Sequence, residues 1–299
     1  YNPSMTDIET HDAVLVLGED ITQTSSRVAL SVRQAAKNEG LKMAAALQTQ
    51  PWLAEPVKRI AQDALSPVYV IDVTQTKLED ISKVSVVATP EDIIKLGFKV
   101  ADEIAKLSDD LSEIADPQAA EQDASIDTDG MQALAQQIAY DLIQADKPLV
   151  VSGSSLSSTA LIEAAAQITQ TLTQKREAIK STEQQQVDAH NAKVKAQALS
   201  ANDQPEEDKE LSAKPNKPET GVDTEVQDDI EREPAENLEL KEVNTKYQAQ
   251  AGIYLTVPDA NSMGVCMLGG HSVEELLATD YDVVVVAENQ LTDAIDANK

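Results

Sequence analysis

The stretch DAVLVLGEDITQTSSRVALSVRQAAK, Asp12 to Lys37, decides the reading of the fold. Between Asp12 and Gly18 it holds a continuous apolar run, as expected for a parallel strand covered on both faces. Val28, Ala29, Val32, Ala35 and Ala36 then recur at helical spacing, while Arg27, Arg33, Gln34 and Lys37 face elsewhere, and Gly40 reads as a helix stop. Strand, turn and helix in this order are what nucleotide-binding sheets use to hold phosphate.

The turn itself argues against that ligand. A dinucleotide fingerprint needs several glycines, where backbone approaches pyrophosphate and where helix meets strand. Gly18 stands alone, followed by Glu19 and Asp20 where phosphate would arrive. Two like charges about 4 Å apart cost about 1 kcal/mol in water and about 4 kcal/mol at an effective dielectric of about 20. Thr24 or Ser25 is expected to cap the helix instead.

Further strand and helix signals follow on both sides of a linker. A helix is expected over Trp52 to Leu65, then the strand PVYVIDV from Pro67 and the strand VSVVA from Val84. TPED opens the next helix, with Thr89 as cap, Pro90 in the first position and Asp92 completing a capping box. Ile93, Gly97, Val100, Ala101, Ile104 and Leu107 form its inner face. Beyond an acidic linker at 116–129, Met131, Leu134, Ala135, Ile138 and Leu142 mark another helix. KPLVVSG is a fourth strand, and SSLSSTALIEAAAQITQTL a Ser/Thr-capped helix. Sheet character returns at GIYLTV from Gly252 and at YDVVVVAEN from Tyr281.

The expected architecture is α/β: layered, mostly parallel sheets with flanking helices, built from Rossmann-like βα units. Residues 1–115 form a first unit, and 130–174 with 251–299 a second. Between them, 175–250 is a charged insertion, helical at first and then disordered. Its segment from Ala201 to Leu240 carries 14 acidic residues, four basic residues and four prolines, too much charge and too little apolar surface to order itself.

Composition narrows the function. The 299 residues suffice for one large or two ordinary domains. The chain opens on Tyr1 and stops ten residues after its last strand signal, so it reads as an internal piece of a longer protein. A net charge of −28, from 52 acidic and 24 basic residues, disfavours nucleic acid and anionic membrane surfaces as partners. Aromatics are scarce, so the core must be aliphatic. The single cysteine, Cys266, excludes a disulfide framework or a multi-cysteine metal site within these residues and fits a reducing compartment. No run approaches the roughly 18 apolar residues of a membrane span, and no leader opens the chain.

No catalytic constellation emerges, and no residue is assigned to catalysis or metal binding. His11, His190 and His271 stand far apart without metal spacing, and Cys266 sits among apolar residues as a core filler. Gly18, Ser154, Gly269 and Gly270 are the candidate cofactor-contacting positions. Ser154, Ser155, Ser157 and Ser158 follow a strand and precede a helix, so they can bind an anion or simply cap. Gly269 and Gly270 permit unusual backbone angles, while Ser272 with Glu274 and Glu275 looks like an ordinary helix start.

Several segments resemble one family in order: NPSMTDIETHDAVLVLGEDITQTSSRVALSVRQA, LGFKVADEIA, KPLVVSG, NSMG followed by GG and SVEEL, and DVVVVAEN. The sequence is similar to the large iron–sulfur subunit of NADH:quinone oxidoreductase, respiratory complex I, over Tyr1 to about Thr173 and Gly252 to Asn289. The resemblance implies the region of that subunit related to molybdopterin oxidoreductases. It also implies iron–sulfur clusters held by cysteines before the portion present, and none within it. In molybdopterin enzymes the comparable turn helps hold a pterin dinucleotide, typically with Gly-Ser/Ala-Asn in place of Gly18-Glu19-Asp20. The implied role is a structural scaffold in an electron-transfer subunit, the alternative a molybdopterin-dinucleotide oxidoreductase domain. Other peripheral-arm subunits are the implied partners, on the cytoplasmic side of the bacterial inner membrane and without membrane insertion.

Overall fold

The computed structural model describes residues 1–111, 128–201 and 247–257, with isolated positions outside these spans. β1 (Ala13–Leu17) lies at the centre of a parallel sheet. β2 (Val68–Asp72) flanks it on one side with β3 (Val84–Val87) outside, and β4 (Pro148–Gly153) flanks it on the other with β5 (Gly252–Thr256) outside. The order is β3-β2-β1-β4-β5. The registers align Val14 with Val68 and with Leu149, Tyr69 with Val84, and Val150 with Ile253. Strands from both sides of the expected linker thus join one sheet.

The continuous apolar runs are explained by cover on both faces. All five residues of β1 are buried, and they divide by alternation. Val14 and Val16 join α3 (Ser26–Ala35), which buries Val28, Ala29, Val32 and Ala35 as its stripe predicted. Ala13, Leu15 and Leu17 join the opposite core with α6 (Pro90–Lys106), α7 (Thr128–Gln144) and α8 (Thr159–Ala201). The α6 positions Ile93, Val100, Ala101 and Ile104 and the α7 positions Met131, Leu134, Ala135, Ile138 and Leu142 are all buried there. A Cβ on Gly97 would come within 3.0 Å of Ala164 and 3.1 Å of Leu17, so α6 lies unusually close to both α8 and β1.

The smaller elements depart from the sequence reading in instructive ways. α1 (Met5–Ile8) precedes β1, and a single turn, α2 (Ile21–Thr24), precedes α3. Asp20 caps α2, receiving the Thr22 amide at 2.9 Å, whereas Ser25 makes no side-chain cap to α3. Gly40 does not stop a helix. It lies inside α4 (Asn38–Ala46), where an added Cβ would meet the Ala61 Cβ at 2.5 Å, so close approach of α5 (Ala54–Ala61) explains the glycine. The helix expected over 52–65 is limited to α5 and ends at Gln62, whose φ is 49°. At α6 the Thr89 hydroxyl accepts from the Asp92 amide but donates to the Asp92 carboxylate, so the reciprocal half of the capping box is replaced. The strand expected from Tyr281 to Asn289, Cys266 and the disorder expected within 202–246 lie outside the described residues.

Two opposite charges fix the turn between α7 and β4. Asp12, just before β1, accepts from the amides of Asp146 and Lys147 at 2.9 and 2.7 Å and from Lys42. Burial opposes its charge, but these donors hold its carboxyl below the usual range. On the other side Arg176, fully buried on α8, donates to the carbonyls of Ile143, Ala145, Asp146 and Gln248 at 2.7–3.0 Å and to Leu142 at 3.4 Å. Its guanidinium lies 3.8 Å from the Tyr247 ring centroid. Burial pushes Arg176 down to about 10, with Tyr247, Asp12 and Asp146 pulling it back, and pushes Tyr247 up to about 12.

Arg176→Leu should therefore destabilise the fold by about 3 kcal/mol or more in urea unfolding, because it leaves buried carbonyls unpaired. Arg176→Lys should recover only part of the loss, since an ammonium cannot reproduce the planar fork.

Candidate functional site

In a parallel sheet of this kind the crevice for a ligand opens at the carboxyl ends of the strands where the order reverses. Here that point lies between β1 and β4. The loops after these two strands, Gly18–Asp20 and Ser154–Ser158, place Gly18 and Ser154 at the same crevice. Gly18 has φ 64°, donates its amide to the Ile71 carbonyl at 2.7 Å, and leaves room for Leu161, whose Cδ2 would lie 2.5 Å from an added Cβ. The glycine lets the start of α8 close against β1.

A side chain fills the crevice. Glu19 is buried, with its carboxylate against Gly153, where an added Cβ would overlap Glu19 Oε2 and Thr256 Oγ1. The Ser155 amide donates to Glu19 Oε2 at 3.2 Å and the Ser155 hydroxyl to Oε1 at 2.7 Å. An amide and a hydroxyl from the loop before a helix are the donors a phosphate oxygen would take. Glu19 supplies the anion from within the chain. Ser152 Oγ donates to the Leu17 carbonyl at 2.9 Å and Thr256 Oγ1 to the Ser152 carbonyl at 3.3 Å, so the ends of β1, β4 and β5 are tied together beneath it.

The serines divide their work. Ser155 binds Glu19, whereas Ser158 Oγ accepts from the Leu161 amide at 3.4 Å in the first turn of α8. Ser157 takes φ 50° and its amide bonds the Ser154 carbonyl at 2.9 Å, turning the loop. Gly269 has φ 73°, and a Cβ added there would meet no atom of the described residues within 4 Å; Gly270 lies outside the described residues.

The second acidic residue of the turn does not enter the crevice, because Asp20 is occupied with the Thr22 amide and hydroxyl. Asp72, which ends β2, is a third acid at this edge and was not singled out from sequence. Its carboxyl is pushed above the usual range by burial and by the charges of Asp20 and Glu19, against one bond from the Val73 amide. The only advance signal for it was an acid at the end of an otherwise apolar run.

The histidines are elsewhere. His11 is buried at the amino end of β1, with Nδ1 2.9 Å from the Asp7 carbonyl and Nε2 3.1 Å from the Tyr1 hydroxyl. Burial holds its pKa below the ordinary imidazole value. His190 lies far along α8, and His271 is outside the described residues. Among the described residues no group of three or more His, Cys, Asp or Glu is placed to hold a metal ion.

No family model matches the chain. Curated relatives do. The G subunit of NADH-quinone oxidoreductase from Pseudomonas putida is 36% identical over 301 residues, covering 99% of this chain and 24% of the relative. Its counterpart in Pseudomonas fluorescens is 35% identical over 304 residues with the same coverage. The Escherichia coli K12 protein is 40% identical over 172 residues, 58% of this chain and 18% of the relative. The chain thus spans about a quarter of the length of the Pseudomonas relatives it matches.

Two outcomes test this geometry. Glu19→Ala should lower stability by about 1–3 kcal/mol and leave an anion-sized space. Acetate or phosphate should then raise its melting temperature more than that of the parent chain. Asp72→Asn tests the crowding of charge. The folded pKa of Asp72 lies above its ordinary value of 3.8, so the native state binds the proton more tightly, and stability falls as pH rises through that window. The amide variant should be more stable than the parent at neutral pH, with the difference vanishing below pH 3.8 in pH-dependent urea melts.

Proposed function

We propose that this chain, homologous over 99% of its length to one region of the G subunit of NADH-quinone oxidoreductase, is a non-catalytic scaffold in the peripheral arm of complex I. Electrons pass elsewhere, through iron–sulfur clusters carried by the part of the polypeptide outside these residues and by neighbouring subunits. The same reading places the whole polypeptide in the NADH dehydrogenase of a respiratory chain, peripheral to the membrane and on its cytoplasmic side. Among the described residues no helix is long and apolar enough to cross a membrane.

The observation that carries the scaffold reading is the position of Glu19. The donors that would hold a phosphate or pterin diphosphate at the β1–β4 crevice are already satisfied by its buried carboxylate. A nucleotide arriving there would have to expel Glu19 and approach Asp72 as well. In a crevice shielded from water, each step opposes a dianionic ligand. What the site does supply is cohesion. Glu19 links the loop after β1 to the loop before α8, turning an edge that commonly receives a ligand into a closed joint.

Metal analysis combined with pterin fluorescence on the native assembly tests the reading. No stoichiometric molybdenum, tungsten or pterin is expected, and finding either metal with pterin at one per subunit would overturn it. Glu19→Gln retains the acceptor for Ser155 and removes the charge. It should leave NADH-to-quinone activity of the assembled complex unchanged.

A further inference from the structure

The face that α8 turns to the core continues past the core. Leu172, Arg176 and Ile179 are buried at helical spacing, and the same line runs on through Glu183, Val187, His190 and Val194, each half-buried. Gln184, Asp188, Ala189 and Ala192, on the other sides of the helix, are exposed. A helix standing alone in water shows all its sides alike, so the sheltered line is a contact face. α6 and the residues after it are seen beside α8 up to Gln186, whose amide donates to Asp110 at 2.9 Å. Val187 to Val194 carry the face two turns further, about 10 Å.

The direction of the backbone indicates what lies against it. Arg176 Nε donates to the Gln248 carbonyl at 2.7 Å, and Thr173 Oγ1 accepts from the Ala251 amide at 3.2 Å. As the chain rises from 248 to 251 its contacts on α8 fall from 176 to 173, so the two run antiparallel. Tyr247 rests on the Arg176 guanidinium, and the charge of Glu183, further along the same line, bears on its hydroxyl. Carried backward, the path of the residues before Tyr247 leads along Glu183, Val187 and Val194.

The sequence arriving there suits the face. Pro234 stands where a helix can begin, and the 13 residues from Pro234 to Lys246 hold no glycine and no further proline. Leu240, Val243 and Tyr247 follow at i, i+3 and i+7, and Glu242 with Lys246 forms an i, i+4 pair. As a helix this segment runs about 20 Å, against about 22 Å for α8 from Ile179 to Val194. Charge is complementary as well. From Lys180 to Lys195 α8 holds three lysines and two acids, whereas 234–246 holds three acids and two lysines.

We propose that residues 234–246 lie as a helix along the Ile179–Val194 face of α8, antiparallel to it, so that the two form a hairpin projecting from the sheet. Arg176 and Tyr247 are its base. Leu240 and Val243 cover Val187 and Val194, and residues 202–233 are left as the connection at the far end. The inference does not depend on the scaffold reading, because the crevice between β1 and β4 lies at the opposite end of α8.

Amide exchange of the full-length subunit in its native assembly tests the docking. Residues 235–246 should exchange at least about tenfold more slowly than the same sequence as a free peptide, and Val187→Asp with Val194→Asp should remove that protection while β1 and β4 keep theirs. Exchange at the free-peptide rate in the unmodified assembly, or protection that survives both substitutions, would overturn the proposal. A photoreactive benzoylphenylalanine at position 187, with adducts mapped by mass spectrometry, identifies the occupant of the face. An intrachain adduct within 234–246 is expected. Adducts confined to residues 112–127, residues 202–233, another subunit or a second copy would count against the hairpin and overturn it, as would failure to form any adduct.

Discussion

The peptide units between Ala145 and Lys147 are held from one side by a buried cation and from the other by a buried anion, and the sheet depends on that arrangement. A helix end leaves carbonyls without partners, and the turn into a parallel strand leaves amides without partners. Arg176 takes the carbonyls and Asp12 takes the amides. Removing a guanidinium from water is expensive, by several kcal/mol even after relaxation. Carbonyls from α7, from the turn and from Gln248, with the Tyr247 ring, offset that cost. The same side chain therefore joins the end of α7, the start of β4 and the chain 72 residues further on that leads into β5.

The two edges of the sheet are consequently closed by different means. At the amino edge the charges satisfy backbone. At the carboxyl edge Glu19 satisfies a loop that has the layout of an anion site, and the fold keeps its strand order with the switch point intact. Replacing a mobile ligand by a side chain of the chain itself removes the cost of recruiting that ligand and makes the joint independent of its concentration.

How much of this was legible follows from the range of each signal. Strands covered on both faces announce themselves by unbroken apolar runs, and β1, β2 and β4 were readable for that reason. The stripes of α3, α6 and α7 were equally local. Arg176 was not found because its neighbours between Lys175 and Lys195 are mostly polar, and that composition suggested an extension into solvent. A trace was present: Ile168, Leu172, Arg176 and Ile179 share helical spacing, and an arginine in an apolar stripe needs a partner. Tyr247 and the helix-end carbonyls that serve it are distant in sequence, so no local pattern names them. At the candidate site, the turn composition raised the issue of charge. Which carboxylate enters the crevice was set by Asp20 finding the Thr22 amide and by Gly153 leaving space for Glu19, both tertiary matters.

α8 spans 43 residues, and the last buried one among its described side chains is Ile179. At 1.5 Å per residue, the helix continues about 33 Å from Ile179 to Ala201. That distance is roughly four times the screening length of physiological salt, about 8 Å. A charge at the Ala201 end of α8 is therefore screened before its field reaches the sheet. A charge can be added or lost near the outer end of α8 with little effect on the ionisation of Asp72, which frees that end of the helix to vary in composition while the joint between β1 and β4 stays fixed.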